Sequence, residues 1–217
     1  MKNVIIAGSN GMIGNLILNL CLQRADVEKV TSITRKPLKI THPKLVEVLH
    51  QDFLNFSNVE KYFENQDICF YCVGVYTGGV STEDFKKITV DCTQVFASTL
   101  LKNSAHISFN FLSGQGADNT ERSKILFAKQ KGIAENNLIK LNFKSFHSFR
   151  PAYIYPITKR VEPNTMYKIM RFLYKPLSII YPNAVITSEK LAKVMVSVGF
   201  DGSEKTVFEN IEMRNYG

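Results

Sequence analysis

Residues 4–20, VIIAGSNGMIGNLILNL, constrain the fold more than any other stretch of this chain. Val4, Ile5, Ile6 and Ala7 form a run of buried-strand type that meets Gly8, and glycine recurs at Gly11 and Gly14. Ile13, Leu16, Ile17 and Leu20 then fall at steps of three and four, the spacing of an amphipathic helix. A strand that turns sharply into a helix leaves unpaired backbone N–H groups at the helix start, and with the helix dipole these attract a phosphate. Glycine permits the turn, lets the backbone approach a pyrophosphate and lets helix pack closely on strand. The stretch predicts a nucleotide site at Gly8, Ser9, Asn10, Gly11, Met12, Ile13 and Gly14. The competing reading of the same glycines is a purely structural turn.

Further strand and helix signals alternate along the chain. Strands are expected at Lys29–Thr34, Leu45–Leu49, Asp67–Val73, His106–Leu112 and Phe143–Arg150. Between them lie a helix capped by Ser57, a long helix carrying Phe85, Ile88, Cys92, Val95, Phe96 and Thr99 on one face, and a helix from Arg122 to Leu141. Alternation of this kind gives an α/β, doubly wound parallel sheet. From Pro151 the regularity falls, leaving a short helix over Thr165–Tyr174, a helix over Thr187–Val198 capped by Thr187 or Ser188, and a late strand at Thr206–Phe208. Residues 1–217 are read as a single domain, with 151–205 as a small irregular cap on the substrate side.

No apolar run approaches the roughly 20 residues that a membrane helix needs, and Lys2 leads directly into the first strand without a signal peptide. The expectation is a cytoplasmic protein with no membrane partner. Cys69 and Cys72 sit in an apolar strand, DICFYCVG, where residues three apart point to opposite faces, so the four cysteines are expected in the core and no metal site is expected. The net charge of +8 is uneven: residues 1–110 hold 11 Lys/Arg against 10 Asp/Glu, and residues 111–217 hold 16 against 9. That is either a solvated basic face or a field favouring a phosphorylated cofactor, an anionic substrate or an acidic partner; no nucleic-acid module is present.

In a doubly wound sheet, ligands bind beyond the carboxyl ends of the strands. This selects Arg35, Lys36, Asp52, Phe53, Val73, Gly74, Tyr76, Ser113, Pro151 and Tyr153 beside the glycine loop. An acidic residue after the second strand would hold ribose hydroxyls; Arg35 in that place suits a 2′-phosphate, with charge-assisted bidentate bonds and added field from Lys36. NADP(H) is therefore expected over NAD(H). The alternative for Arg35-Lys36 is an ordinary exposed basic pair.

Gly8–Gly14, Arg35, Asp52-Phe53, Ser113 and Arg150-Pro151-Ala152-Tyr153 together resemble the short-chain dehydrogenase/reductase superfamily, in its atypical NmrA-like and Tat-interacting-protein-like branch. The resemblance covers nearly the whole chain and implies a Rossmann fold. It also implies that Asp52 and Phe53 border an adenine, that Val73-Gly74 pass along the inner ribose, and that Pro151 to Tyr153 touch the nicotinamide end. Catalytic members of that family have a serine after the fifth strand, then a tyrosine and a lysine four residues apart. Here Ser113 fills the serine place and Lys131 the lysine place, but Phe127 stands where the tyrosine is expected. Phenylalanine has no proton to give.

Two functions are compatible with that pattern. One is an oxidoreductase or epimerase-like enzyme on a small carbonyl compound, in which Ser113 is assisted by Lys131 and by a substitute proton donor such as Tyr76, Tyr153, Tyr155 or a water. The other is a non-catalytic NADPH-sensing regulator that recruits a protein partner. Lys131 has a plain alternative as a surface lysine, and Ser113 as a strand end that turns with Gly114. A homodimer is compatible with either.

Overall fold

In a computed structural model the described residues are 1–157, 169 and 171–217. Parallel pairing of β1 (Lys2–Ala7), β2 (Val27–Thr34), β3 (Leu45–Leu49), β4 (Ile68–Tyr71), β5 (Ser108–Leu112), β6 (Ser145–Arg150) and a late strand at Val207–Glu209 builds a seven-stranded sheet. Its order, β3-β2-β1-β4-β5-β6 and then the late strand, reverses between β1 and β4. This is the Rossmann arrangement, and it puts the glycine loop at the switch point.

Strand alternation divides the core in two. Val4, Ile6, Ile68 and Phe70 face α1 (Met12–Gln23) on one side, while Ile5, Ala7, Cys69 and Tyr71 face an aromatic cluster of Phe56, Phe63, Phe96, Phe109 and Phe111 on the other. Cys69 and Cys72 accordingly serve opposite cores. All four cysteines are free, and no group of metal-ligating side chains occurs among the described residues.

The long helix expected after residue 82 is three pieces: α2 (Thr82–Lys86), a π-helical turn at Lys87–Asp91, and α3 (Cys92–Asn103). The extra residue of a π turn rotates one helical face relative to the next. The helix expected from Arg122 starts only at Leu126, as α4 (Leu126–Lys140). Its intended first turn is taken by Asp118, whose carboxylate accepts the Thr120, Arg122 and Ser123 N–H groups and holds a loop instead. Ser57 caps nothing: its own N–H donates to Asn55 Oδ1, and only a 3₁₀ turn forms at Glu60–Phe63, without a side-chain cap. His106 lies outside β5.

Beyond Pro151, β7 (Tyr153–Tyr155) pairs with β8 (Val185–Thr187) in a separate two-stranded sheet. Half of the helix expected at Thr165–Tyr174 lies outside the described residues; Tyr174 itself opens α5 (Tyr174–Ile180). Next comes α6 (Ser188–Asp201), capped by Thr187 Oγ1, which accepts the Lys190 N–H at 3.1 Å. Leu191, Ala192, Met195 and Val198 of α6 are buried in the core shared with α1, so α6 is a layer of the sheet rather than part of a cap. The late strand, β9 (Val207–Glu209), then joins β6, and α7 (Asn210–Asn215) ends the fold behind a capping box of Glu209 and Glu212. Among the described residues no helix is long and apolar enough to cross a membrane.

Helix α4 is pressed onto the loop before it at Gly132, where a Cβ would collide with the Asp118 carbonyl. Gly132→Ala improves helix propensity by about 1 kcal/mol, but the clash is with backbone and overpacking typically costs 1–3 kcal/mol or somewhat more. The clash wins. The variant should be destabilised by on the order of 2 kcal/mol in urea unfolding, with unchanged slope.

Candidate functional site

Three glycines let β1, α1 and β4 meet at their ends. Gly8 has φ +90°, and a Cβ there would stand 2.7 Å from the Cys72 carbonyl group. A Cβ on Gly14 would collide with the Gly8 carbonyl. Gly11, the N-cap of α1, donates its N–H to Gly8 O at 2.9 Å and offers no side-chain cap. The first turn of α1 carries no acidic residue, so its positive end is uncompensated by a side chain. Ser9, Met12 and Ile13 are framework: Ser9 Oγ accepts from the buried Ser32 hydroxyl at 2.8 Å, Ile13 is core, and Met12 packs against it. Asn10 ties the loop to the end of β2, donating from Nδ2 to Thr34 Oγ1 (2.5 Å) and to Lys36 O (2.7 Å).

These segments open onto a cleft of about 610 Å³. Gly8, Asn10 and Gly11 lie along its floor, Arg35 and Lys36 beside β2, Asp52 and Phe53 beside β3, and Val73 and Gly74 beside β4. Arg35 and Lys36 are exposed, and Gln51 Nε2 donates to the Arg35 carbonyl at 2.5 Å, fixing the backbone beneath that side chain. His50, which sequence reading passes over, is buried, with its Nε2 2.7 Å from Asp52 O and 2.8 Å from Asn55 O. It fixes the turn that presents Asp52 and Phe53. The far wall was not legible in sequence: the π turn and its neighbours bring Asp84, Lys87, Ile88 and Cys92 to the cleft.

Ser113, Phe127, Lys131, Pro151 and Tyr153 do not line this cleft; they gather beyond the ends of β5 and β6. Lys131 is not a surface lysine. It is buried, its Nζ donates to Leu112 O at 3.0 Å and lies 4.7 Å above the Phe111 ring, and burial pulls its pKa down to about 8 against the opposing pull of Glu135. Phe127, one turn earlier, sets its ring tip against Gly114, where a Cβ would stand close enough to push the ring aside. Pro151 is buried and its carbonyl accepts the Gln115 N–H at 2.8 Å, while Tyr153 is half-buried in β7. Ser113 is also buried; its Oγ has no partner within hydrogen-bonding geometry, although it faces the Glu135 carboxylate.

Glu135 is the residue that sequence reading missed altogether. It is fully buried, and it accepts from Arg150 Nε (3.0 Å) and Nη2, Ser148 Oγ (2.8 Å) and Asn119 Nδ2 (3.1 Å). Arg150 Nη1 continues to Glu209 at 3.0 Å. Burial would raise the Glu135 carboxyl, but the Arg150 guanidinium with the Ser113 and Ser148 hydroxyls outweighs burial and holds it below the usual range. Its one sequence signal is its position four residues after Lys131, on the same helical face.

The lowered proton affinity of Lys131 has a sign that can be checked. Between about pH 8 and its ordinary 10.5 the native lysine is neutral while the unfolded one still holds its proton, so native stability rises with pH across that window. Lys131→Met removes this dependence. The stability of the wild type relative to that variant should therefore rise by on the order of 2 kcal/mol from pH 7.5 to pH 10 in urea unfolding; a flat difference would mean the lysine titrates as an exposed one does.

No family model matches the chain. It is 28% identical over 156 residues to rat protein HTATIP2, covering 70% of this chain but only 63% of that relative's length. It is 25% identical over 206 residues to the mitochondrial protein FMP52 of Debaryomyces hansenii, covering 89% of this chain and 86% of that one. Among solved structures, yeast methylglyoxal/isovaleraldehyde reductase Gre2 complexed with NADPH superposes with a TM-score of 0.72 at 16% identity, over 95% of this chain and 78% of Gre2. The Bordetella bronchiseptica enzyme WbmH, in complex with NAD+, gives 0.72 at 18% identity, over 96% and 74%. By sequence the chain is similar to HTATIP2 and FMP52, and its Rossmann fold is shared with Gre2 and WbmH.

Proposed function

We propose that the protein binds NADP(H) in the cleft and acts as an oxidoreductase or epimerase-like enzyme on a small carbonyl compound. The observation that carries the reading is Arg35, exposed at the end of β2 on the wall of a cleft whose floor is the glycine loop. The chain's own groups fit a dinucleotide: unpaired N–H groups at the uncapped start of α1 for the pyrophosphate, Arg35 and Lys36 for a 2′-phosphate, and Asp52 and Phe53 for the adenosine. Gre2 is described with NADPH and WbmH with NAD+, so Arg35 and not the neighbours supports the choice between the two. When bound, NADP(H) would supply hydride chemistry. Ser113 would orient the carbonyl through its hydroxyl, which lies against Glu135, and Lys131 would hold a ribose from its buried position. Four free thiols support a reducing compartment such as the cytoplasm.

The second reading is a non-catalytic NADPH sensor for a protein partner, and Phe127 favours it. Its ring supplies no proton and is packed against Gly114.

Titrations of NADPH and NADH, followed by nicotinamide fluorescence in this Trp-free chain, test the cofactor. A charge-assisted pair contributes roughly 1.5–3 kcal/mol, so Arg35→Ala should weaken NADPH by about tenfold or more and leave NADH nearly unchanged. Equal weakening of both, or binding of neither, would sink the proposal.

Phe127→Tyr separates the two readings. General acid catalysis is worth on the order of a hundredfold or more, so reduction of small aldehydes such as methylglyoxal should appear or rise by about that factor if the geometry is that of an enzyme. A folded, NADPH-binding variant with unchanged turnover would favour the sensor.

A further inference from the structure

Helix α5 buries none of its residues, although five of its seven are apolar or aromatic. Phe172 just before it is 86% exposed and Ile179 is 81% exposed, and Leu173, Ile180 and Tyr181 are exposed as well. This is a contiguous stretch of chain, unlike the single exposed apolar residues that any surface carries.

The stretch is nevertheless anchored from behind. Tyr174 stacks on Tyr155 of β7 with ring centroids 3.9 Å apart, the Arg171 guanidinium lies 5.7 Å from that Tyr155 ring, and Arg214 Nη2 donates to Ser178 O at 3.5 Å. One side of the segment is therefore fixed to the fold while the other presents apolar side chains to solvent. Charge supplies the second observation. From Pro163 to Ser188 the sequence contains no Asp or Glu, but it contains Lys168, Arg171 and Lys175. Apolar and aromatic side chains with basic residues of a single sign are the composition of segments that lie in the interface of an anionic bilayer.

We propose that the α5 segment, residues 171–181, docks the protein on the surface of an anionic lipid membrane. Phe172, Ile179, Ile180 and Tyr181 enter the headgroup boundary while the exposed Lys175 meets lipid phosphates. A second copy of the chain is the less suitable occupant, because a two-fold contact through this patch would bring like charges together. The expectation of no membrane partner rested on the length of apolar runs, which addresses spanning and not lying on a surface. The patch also neighbours the Ser113 end of the site, since Gln115 Nε2 donates to Asn183 O at 3.4 Å.

The test is sedimentation of the full chain with vesicles of pure phosphatidylcholine and of phosphatidylcholine containing about one quarter phosphatidylglycerol. Each basic residue near an anionic surface contributes roughly fivefold. With Lys175 as that residue, the chain should pellet with the anionic vesicles about fivefold more than with the neutral ones, and less as salt rises. Phe172→Ser/Ile179→Ser/Ile180→Ser alters only exposed side chains and should keep its thermal unfolding midpoint while losing vesicle binding. Absence of binding to either vesicle overturns the proposal, as does equal binding by the triple variant, which would mean charge alone is at work. A wild type that elutes as a dimer and a triple variant that elutes as a monomer would overturn it too, by assigning the patch to self-association.

Discussion

The contact that the rest of the site depends on is between two backbones. Helix α1 lies so near β1 that Gly14 admits no Cβ against the Gly8 carbonyl, and Gly8 in turn admits none against Cys72 at the end of β4. A methyl group at either place would displace main chain, which has no rotamer to absorb it. With the two in contact, the start of α1 points at the gap between the β1 and β4 ends, where the strand order reverses. Asn10 then fixes the β2 end to the same loop through Thr34 and Lys36. The place of Arg35 is thus set by the glycine turn as much as by β2.

A buried ion pair does for the other end of the sheet what glycine does for this one. Glu135 sits where desolvation opposes charge, and it is held by donors from β6 (Ser148, Arg150) and from the loop at Asn119, while Arg150 reaches on to Glu209 of β9. Such a pair adds little net stability compared with an apolar replacement, but either member left alone is costly. Its effect is on arrangement: α4, β6 and β9 are locked in one register, and Ser113 and Lys131 are placed against the same carboxylate.

Periodicity and glycine spacing are local properties of a chain, and what they encode was readable. The β1–α1 turn, the parallel sheet, the cysteines on opposite core faces and the Thr187 cap all follow from neighbours within a few residues. Features that depend on competition were not readable. Asp118 outbids the helix for the N–H groups of residues 120–123, and a single extra residue in the π turn swings Lys87 and Ile88 toward the cleft. The three-residue strands β7 and β8 are too short to show a period. Glu135 was invisible because its partners lie up to sixteen residues away along the chain and belong to two other segments, β6 and the Asn119 loop. Lys131 resembled a surface lysine in sequence for the same reason: nothing local marks the Leu112 carbonyl as its partner.

The buried lysine does not by itself argue for turnover. Its charge is met by the Leu112 carbonyl, the Phe111 face and the field of Glu135, so it is accommodated without any phenol whose acidity it would tune. Ser113 is different. Its hydroxyl is buried at the end of β5 against the Glu135 carboxylate, which also accepts from Arg150, Ser148 and Asn119. Ser113 at the end of β5 is the group that suits the proposed carbonyl ligand, and Phe127 is the one that weighs against its being protonated in the usual way.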